Sequence, residues 1–149
     1  MSDQGYSTSF TVEQTPAQAF AAINDVRGWW AEQIDGSTEK LGDVFTFRHK
    51  DVHRSTQKLI EVVPNAKVVW LVLDAELSFV QERSEWKGTR VVFEIRERGG
   101  KTEVRFTHQG LVPRCECFDG CSSAWSFYIG GSLRSLIATG KGQPIQSTN

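Results

Sequence analysis

The amino-acid sequence predicts an α+β fold in which an antiparallel sheet packs against one long C-terminal helix. Apolar residues recur every three or four positions near the C terminus, whereas they alternate with polar residues through much of the region from Val44 to His108. A two-residue glycine turn inside that region joins two strands of similar length. Two short helices are expected between the first strand and the rest of the sheet.

The predicted C-terminal helix covers Cys121 to Leu136 and has one apolar face. That face comprises Phe118, Cys121, Trp125, Tyr128, Ile129, Ser132, Leu133 and Leu136. Phe127 falls on the opposite side of the helix, so we expect it to be more exposed than Trp125. Gly130 and Gly131 lie in the middle of the helix, where they favour a bend or a close approach of another backbone segment.

The N-terminal part of the chain predicts one strand and two short helices. Tyr6 to Val12 alternates as a strand does. The segment from Thr15 to Gln18 has the pattern of a capping box with proline at the first helical position. Asp25 is the expected cap of a second helix that carries Trp29 and Trp30. Adjacent residues of a helix face different directions, so one tryptophan is expected in the core and the other at a rim or pocket.

Alternation with a period of two predicts the remaining strands. They span Val44 to His49, His53 to Val63, Lys67 to Asp74, Arg90 to Arg98, and Lys101 to His108. Val68 to Leu73 is apolar at every position, which predicts a strand that is central in the sheet or covered on both faces. The segment from Ala75 to Gly88 is less regular and predicts a loop or an imperfect strand.

The glycine turn, Gly99-Gly100, predicts the register of the last hairpin. Pairing outward from it places Arg96 opposite Glu103, Glu94 opposite Arg105, Ile95 opposite Val104, Phe93 opposite Phe106, and Val91 opposite His108. One face of the hairpin then carries complementary charges and the other face is apolar. Two independent patterns agree on this register. The apolar face is expected to meet the C-terminal helix.

Length and charge limit the classes of protein that fit. A chain of 149 residues suits one domain, expected over residues 6–142, with a disordered N terminus at 1–5 and a flexible tail at 143–149. A net charge of −1 without a basic block argues against nucleic-acid partners. No apolar run reaches the ~20 residues of a membrane span, and no secretory signal is visible. We expect a soluble cytoplasmic protein without a membrane partner, either a monomer or a weak dimer.

The three cysteines, Cys115, Cys117 and Cys121, lie close together before the last helix. They offer three thiolates, and His108 is available as a fourth ligand for zinc. Structural zinc sites usually use Cys-x-x-Cys spacing, which is missing here. The sequence therefore favours reduced cysteines, and we expect no metal and no cofactor.

Segments spread over nearly the whole chain carry a family resemblance. They are residues 15–20 (TPAQAF), 60–64 (IEVVP), 69–70 (VW), 85–89 (EWKGT), 106–113 (FTHQGLVP) and 125–137. With this order of elements, the chain resembles the helix-grip superfamily called SRPBCC or START-like, and within it the bacterial relatives of the activator of heat-shock-protein-90 ATPase. The resemblance implies a curved antiparallel sheet that wraps the C-terminal helix and leaves a hydrophobic cavity between them.

A small hydrophobic molecule is the partner that this cavity implies. The expected lining residues are Trp30, Phe47, Trp70, Phe93, Phe106, His108, Trp125 and Tyr128. No nucleophile with a neighbouring base can be identified, so no catalytic residue is assigned. Two alternatives stay open. One is an enzyme of the cyclase or hydrolase type that uses His108 or Glu61 as acid or base, and the other is a chaperone-associated module that binds a protein partner.

Overall fold

The computed structural model describes residues 5–32, 34–49, 53–77, 86–112 and 118–144. Within them, a seven-stranded antiparallel sheet packs against a C-terminal helix, which confirms the predicted α+β helix-grip fold. The strands are β1 (Gly5–Val12), β2 (Ile34–Gly36), β3 (Val44–His49), β4 (His53–Val63), β5 (Lys67–Leu77), β6 (Arg90–Arg98) and β7 (Lys101–Gln109). The helices are α1 (Pro16–Asn24), α2 (Val26–Trp29), α3 (Phe118–Trp125), a π-helical segment (Ser126–Leu133) and α4 (Arg134–Thr139).

The strands follow the order β1-β7-β6-β5-β4-β3-β2, which puts β5 in the middle. The sequence allowed two explanations for the uninterrupted apolar run in β5, a central strand or a strand covered on both faces. Leu73 on the outer side is 39% exposed, so the outer face is not covered and the central position accounts for the run. β5 also continues to Leu77, three residues beyond its predicted end. The edge strand β2 was not predicted, because three residues are too few to show an alternation.

The register of the β6–β7 hairpin is the predicted one at all five pairs. On the outer face, Arg96 Nε donates to Glu103 Oε1 at 2.7 Å. On the inner face, Phe93 and Phe106 are fully buried. Exposed ion pairs contribute about 0–1 kcal/mol each, so burial of the inner face supplies most of the stability of this hairpin.

Helix α1 begins with the predicted capping box. Thr15 Oγ1 accepts from the backbone N–H of Gln18 at 3.1 Å, and Gln18 Oε1 accepts from the backbone N–H of Thr15 at 2.9 Å. The predicted cap of α2 is wrong in one respect: Asp25 precedes the helix but its side chain makes no capping hydrogen bond. Its backbone N–H still bonds to the end of α1, and its ψ of 67° departs from the extended conformation that a capping side chain needs.

Trp29 and Trp30 are both buried, which corrects the expectation that one of them would lie at a rim. Their rings are stacked, with centroids 6.2 Å apart. Both rings pack against Trp70 of β5, with centroids 6.3 and 5.7 Å away, and the Trp30 ring also meets Trp125 of the C-terminal helix at 5.2 Å. Ser132 Oγ of the π-helical segment donates to the Trp29 carbonyl at 2.7 Å and fixes this arrangement.

The C-terminal helix has the predicted inner face over most of its length. Its buried apolar residues recur every four positions and are Cys121, Trp125, Ile129, Leu133 and Ile137. Ile137 is buried where Leu136 was expected, and Leu136 is half-buried against the core. A π-helix holds more residues per turn than an α-helix, which keeps residues four apart closer to one line. Phe127, at 49% exposed, lies on the outer side as predicted.

Gly130 and Gly131 were expected to favour a bend or a close backbone approach, and of these two alternatives the close approach is not found. A Cβ added at Gly130 would meet no atom within 4 Å. The close approach is instead at Gly142, after the helix, where a Cβ would come 2.2 Å from the carbonyl oxygen of Gly28. The backbone N–H of Gln143 donates to Ser132 Oγ at 2.7 Å, so the first residue of the predicted flexible tail is bonded to the helix.

The predicted division into domain, disordered N terminus and tail stays a prediction. β1 begins at Gly5, one residue before its predicted start, while residues 1–4 and 145–149 lie outside the described part of the chain. Among the described residues, no helix has the length and apolar character needed to span a bilayer.

Candidate functional site

An aromatic cluster lies between the inner face of the sheet and the C-terminal helix. We use this name for Trp29, Trp30, Phe45, Phe47, Trp70, Trp86, Phe93, Phe106, His108, Trp125 and Tyr128, which are connected by ring contacts. The cluster contains all eight residues predicted from the sequence to line a cavity. Only Tyr128 among its members is partly exposed.

Trp30 is the member that joins the two sides of the cluster. Its ring stacks on Phe47 of β3, with centroids 4.2 Å apart and planes 7° from parallel. Trp70 of β5 lies 5.7 Å away in a nearly parallel plane, and Trp125 of the C-terminal helix lies at 5.2 Å. A ligand that enters this part of the cluster therefore has to displace at least one ring.

Trp29 at the end of α2 and Trp30 directly after it are held differently. Trp29 Nε1 donates to the Ile23 carbonyl at 3.1 Å, and the Trp29 carbonyl accepts from Ser132. Trp30 Nε1 is buried and has no hydrogen-bond partner. The Trp30 ring is thus held by stacking and packing alone, so it needs to break no side-chain hydrogen bond in order to move.

His108 lies at the other end of the cluster and is fully buried. Trp125 Nε1 donates to His108 Nδ1 at 3.1 Å, and His108 Nε2 lies 2.8 Å from Thr89 Oγ1. The Thr89 hydroxyl donates to the Trp86 carbonyl at 2.5 Å. Because Nδ1 accepts and the Thr89 proton is already used, His108 is the neutral tautomer with its proton on Nε2. The histidine therefore links β7 to the helix and to the turn before β6.

Tyr128 projects from the π-helical segment toward Trp125 and Trp30, with ring centroids 6.1 and 6.5 Å away. Burial raises the pKa of Tyr128 above its ordinary value, and the Cys121 sulfur adds to this shift. The phenol is thus neutral near pH 7 and available as a hydrogen-bonding group at the partly exposed border of the cluster.

Glu61, which the enzyme alternative named as an acid or base, lies outside the cluster. The register of β4 against β5 shifts between Leu59 and Glu61, as in a β-bulge, and this shift reverses the alternation of side chains. Leu59 is buried on the inner face, whereas Glu61 lies on the outer face with its carboxylate 3.7 Å from Lys67 Nζ. A sequence pattern alone does not show where a strand contains an extra residue.

A buried polar pair on β4 was not singled out from the sequence. Gln57 Nε2 donates to Ser55 Oγ at 2.6 Å, and both residues are fully buried. Gln57 Oε1 has no hydrogen-bond partner. The signal was present in the alternation of β4, since Arg54 and Lys58 mark the outer face and leave Ser55 and Gln57 on the inner one.

The cysteine prediction is only partly within the described residues. Cys115 and Cys117 lie outside them, and Cys121 is buried at the start of the C-terminal helix. In the part of the chain that the structure describes, no three metal-ligating side chains come together.

The family comparison covers most of the chain. The model of the family described as Activator of Hsp90 ATPase homolog 1-like protein matches residues 15–138. This range contains both short helices, strands β2 to β7 and nearly all of the C-terminal helix. No curated protein matches the chain significantly.

Solved structures share the fold at low sequence identity. The Aha1 dimer from Colwellia psychrerythraea is 22% identical with a TM-score of 0.74, and the match covers 95% of this chain and 100% of that one. SSP2350 from Staphylococcus saprophyticus is 16% identical with a TM-score of 0.68, over 94% and 96% of the two chains. DynU16, from the dynemicin biosynthetic locus, is 14% identical with a TM-score of 0.67, over 95% of this chain and 49% of DynU16.

Proposed function

Because the chain belongs to the family of Activator of Hsp90 ATPase homolog 1-like proteins, we propose that it binds a small hydrophobic molecule between the sheet and the C-terminal helix. The observation that carries the proposal is the aromatic cluster. Its members come from α2, from four of the seven strands, from the turn before β6 and from the helix, and they converge on one place in the fold. Aromatic surface with a few polar groups is the usual lining of small-molecule sites.

Two further features support a binding site over a core with a purely structural role. Buried polar atoms usually have hydrogen-bond partners, yet Trp30 Nε1 and Gln57 Oε1 in the interior have none. The helix that covers the cluster is π-helical from Ser126 to Leu133, and π-helical turns are frequent at functional sites. Both features cost stability, which a ligand can restore by binding.

We propose that the ligand enters the aromatic cluster at Trp30. The preceding helix α2 has only four residues and no side-chain cap, and the Trp30 indole N–H is unbonded. Movement of this ring would expose the inner face of β3, β4 and β5 without breaking a hydrogen bond of the ring. Trp29 and Ser132 would hold the rest of α2 in place.

The direct test is the intact mass of the protein under native and denaturing conditions, after purification from several hosts. We expect a noncovalent small molecule to be present in the native spectrum and to be lost on denaturation. Trp30→Ala should change the amount bound, whereas Phe127→Ala, at an exposed position, should not. Absence of a bound molecule, together with no binding of any member of a panel of apolar compounds, would overturn the proposal.

A second candidate is the chaperone-associated module, which the family description favours. We propose it as an additional role, because a ligand site in the interior leaves the outer surface available for a protein. The test is the ATPase rate of a bacterial Hsp90-type chaperone with and without this protein. No change in rate and no complex in sedimentation would exclude this role and leave the ligand proposal untouched.

The enzyme alternative has less support. His108 has hydrogen bonds at both ring nitrogens, and Glu61 lies on the outer face of the sheet beside Lys67. A general acid or base needs a proton-transfer atom directed at the substrate.

The cytoplasmic location and the monomeric or weakly dimeric state remain predictions. The Colwellia protein is a dimer, which makes sedimentation of this chain informative.

A further inference from the structure

We infer that the ligand of the aromatic cluster carries a neutral hydroxyl group, which accepts a hydrogen bond from Trp30 Nε1 and donates one to Gln57 Oε1. This inference rests on the proposed function and adds the chemical class of the ligand. Its basis is one unbonded donor and one unbonded acceptor, both within the buried region between sheet and helix.

Trp30 and Gln57 belong to the same part of the interior, over strands β3 to β5. The Trp30 ring contacts Phe47 of β3 and Trp70 of β5. Strand β4 runs between those two strands, so the Trp30 ring extends across the inner face of β4. Gln57 lies on that face, paired with Phe45 on one side and Val72 on the other. A molecule that enters beside Trp30 therefore reaches Gln57.

The state of Gln57 determines the hydrogen-bonding pattern. Its amide nitrogen donates to Ser55 Oγ, which directs the oxygen away from Ser55. The oxygen is an acceptor and the indole N–H of Trp30 is a donor, so a single complementary group has to both accept and donate. A hydroxyl does both with one atom. Ethers, ketones and hydrocarbons leave at least one of the two protein atoms unbonded.

Charge excludes a carboxylate at this position. A carboxylate has no proton to donate to Gln57, and its burial needs a cation or several donors. Among the described residues, no lysine or arginine is buried, and His108 is held neutral by the Trp125 N–H at the other end of the cluster. The aromatic surroundings suit a flat apolar body, so we expect an aromatic or polycyclic alcohol or phenol.

The experiment compares 2-naphthol with 2-methylnaphthalene by titration calorimetry at pH 7. The two molecules have similar shapes and differ in a hydroxyl or methyl group. The methyl compound is the more hydrophobic and binds more tightly to a purely apolar site. We expect the naphthol to bind at least about tenfold more tightly to the native protein, because only the naphthol satisfies both buried atoms.

The matched variants are Trp30→Phe, which keeps an aromatic ring but lacks the N–H, and the double variant Ser55→Ala with Gln57→Leu. Both should lose the preference for the naphthol and retain binding of the methyl compound. If the native protein binds the methyl compound as tightly as the naphthol, the inference is wrong and the proposed function stands. If the native protein binds neither compound, the inference is wrong, and the native mass spectra with the wider panel of apolar compounds decide whether the proposed function falls as well.

Thermal melting without ligand separates a binding role of the polar pair from a structural one. A buried polar pair with an unbonded oxygen lowers the stability of the ligand-free protein, so the double variant should melt at the same temperature as the native protein or higher. A lower melting temperature would show that Ser55 and Gln57 serve the fold, and this would overturn the inference even if the naphthol binds.

Discussion

At the scale of single residues, Trp125 combines packing with a directed hydrogen bond. Its ring lies 4.6 Å from Phe106 and 5.2 Å from Trp30, and its indole N–H donates to His108. Phe127, two positions later, is half-exposed on the opposite side of the helix. The two residues allow the contribution of the inner helix face to be measured within one turn.

Replacement of Trp125 by alanine should lower the free energy of unfolding by about 3–5 kcal/mol, since it leaves a cavity and removes a partner of buried His108. Replacement of Phe127 by alanine should cost less than about 1 kcal/mol, as expected for an exposed position. Urea denaturation of both variants measures the difference. If the Phe127 variant were less stable than the Trp125 variant, the helix face that carries Phe127 would be the one packed against the sheet.

The phenol of Tyr128 gives the protein a pH dependence in the alkaline range. Burial raises the pKa of Tyr128 in the folded protein, so the unfolded chain loses this proton first. The contribution of the protonated Tyr128 to the free energy of unfolding is fully present below the ordinary tyrosine pKa of about 10. This contribution is lost as the pH rises through the higher pKa that Tyr128 has in the folded protein. Tyr128→Phe should weaken the fall in stability between neutral and strongly alkaline pH, as measured by urea denaturation across that range. An unchanged profile would contradict this role of Tyr128.

At the scale of elements, the glycines around the C-terminal helix separate helix propensity from packing. Gly130 is exposed in the π-helical segment with open space around its Cβ position. Gly142 lies so close to Gly28 that a methyl group would overlap the Gly28 carbonyl oxygen. The first position tolerates a side chain and the second does not.

Gly130→Ala should raise the free energy of unfolding by about 0.5–1 kcal/mol, since alanine loses less backbone entropy in a helix. Gly142→Ala should lower it, because the tail would have to move away from α2 and Ser132. Thermal melting of the two variants tests both directions. A destabilised Gly130 variant would indicate that the π-helical geometry itself depends on glycine.

The elements that could be predicted from the sequence are those on which several patterns agree. The β6–β7 hairpin had a glycine turn, complementary charges and an apolar face, and each required the same register. Glu61 was ambiguous because the shift beside Leu59 reverses the alternation, and only pairing with β5 reveals it. β2 exists because Ile34–Gly36 pair with β3. These three residues show no alternation of their own from which a strand could be predicted.

The members of the candidate site could also be predicted where the sequence pattern fixes the direction of the side chain. Its eight predicted members are large rings, an imidazole and a phenol on inward faces, and the fold brings them together. The polar pair of Ser55 and Gln57 was missed, because such residues are usually exposed and their burial depends on the neighbouring strands. The burial of both Trp29 and Trp30 depends on two elements distant in sequence, the sheet that both rings pack against and the C-terminal helix.

At the scale of the whole molecule, the sheet has one protected centre and two edges. β5, β6 and β7 lie inside the sheet and support the helix, whereas β2 is an edge strand of three residues. Local opening is expected to follow this arrangement, because amides at short edges are released by smaller fluctuations.

Hydrogen exchange should therefore be slowest in β6 and in the adjoining parts of β5 and β7, and fastest in β2, when followed by NMR at neutral pH. The fully buried Phe93 and Phe106 provide reference amides for the slow group. Equal protection in β2 and β6 would indicate that the molecule opens only as a whole.

The five tryptophans of the chain all belong to the aromatic cluster. The tryptophan fluorescence of the protein therefore originates from this one region, and no indole elsewhere contributes to the signal. Rings whose centroids are about 5 to 6 Å apart, such as those of Trp30 and Trp125, also exchange excitation energy readily. A molecule that disturbs one of these rings alters the emission of the whole set, so the protein carries an optical reporter for its interior without any label.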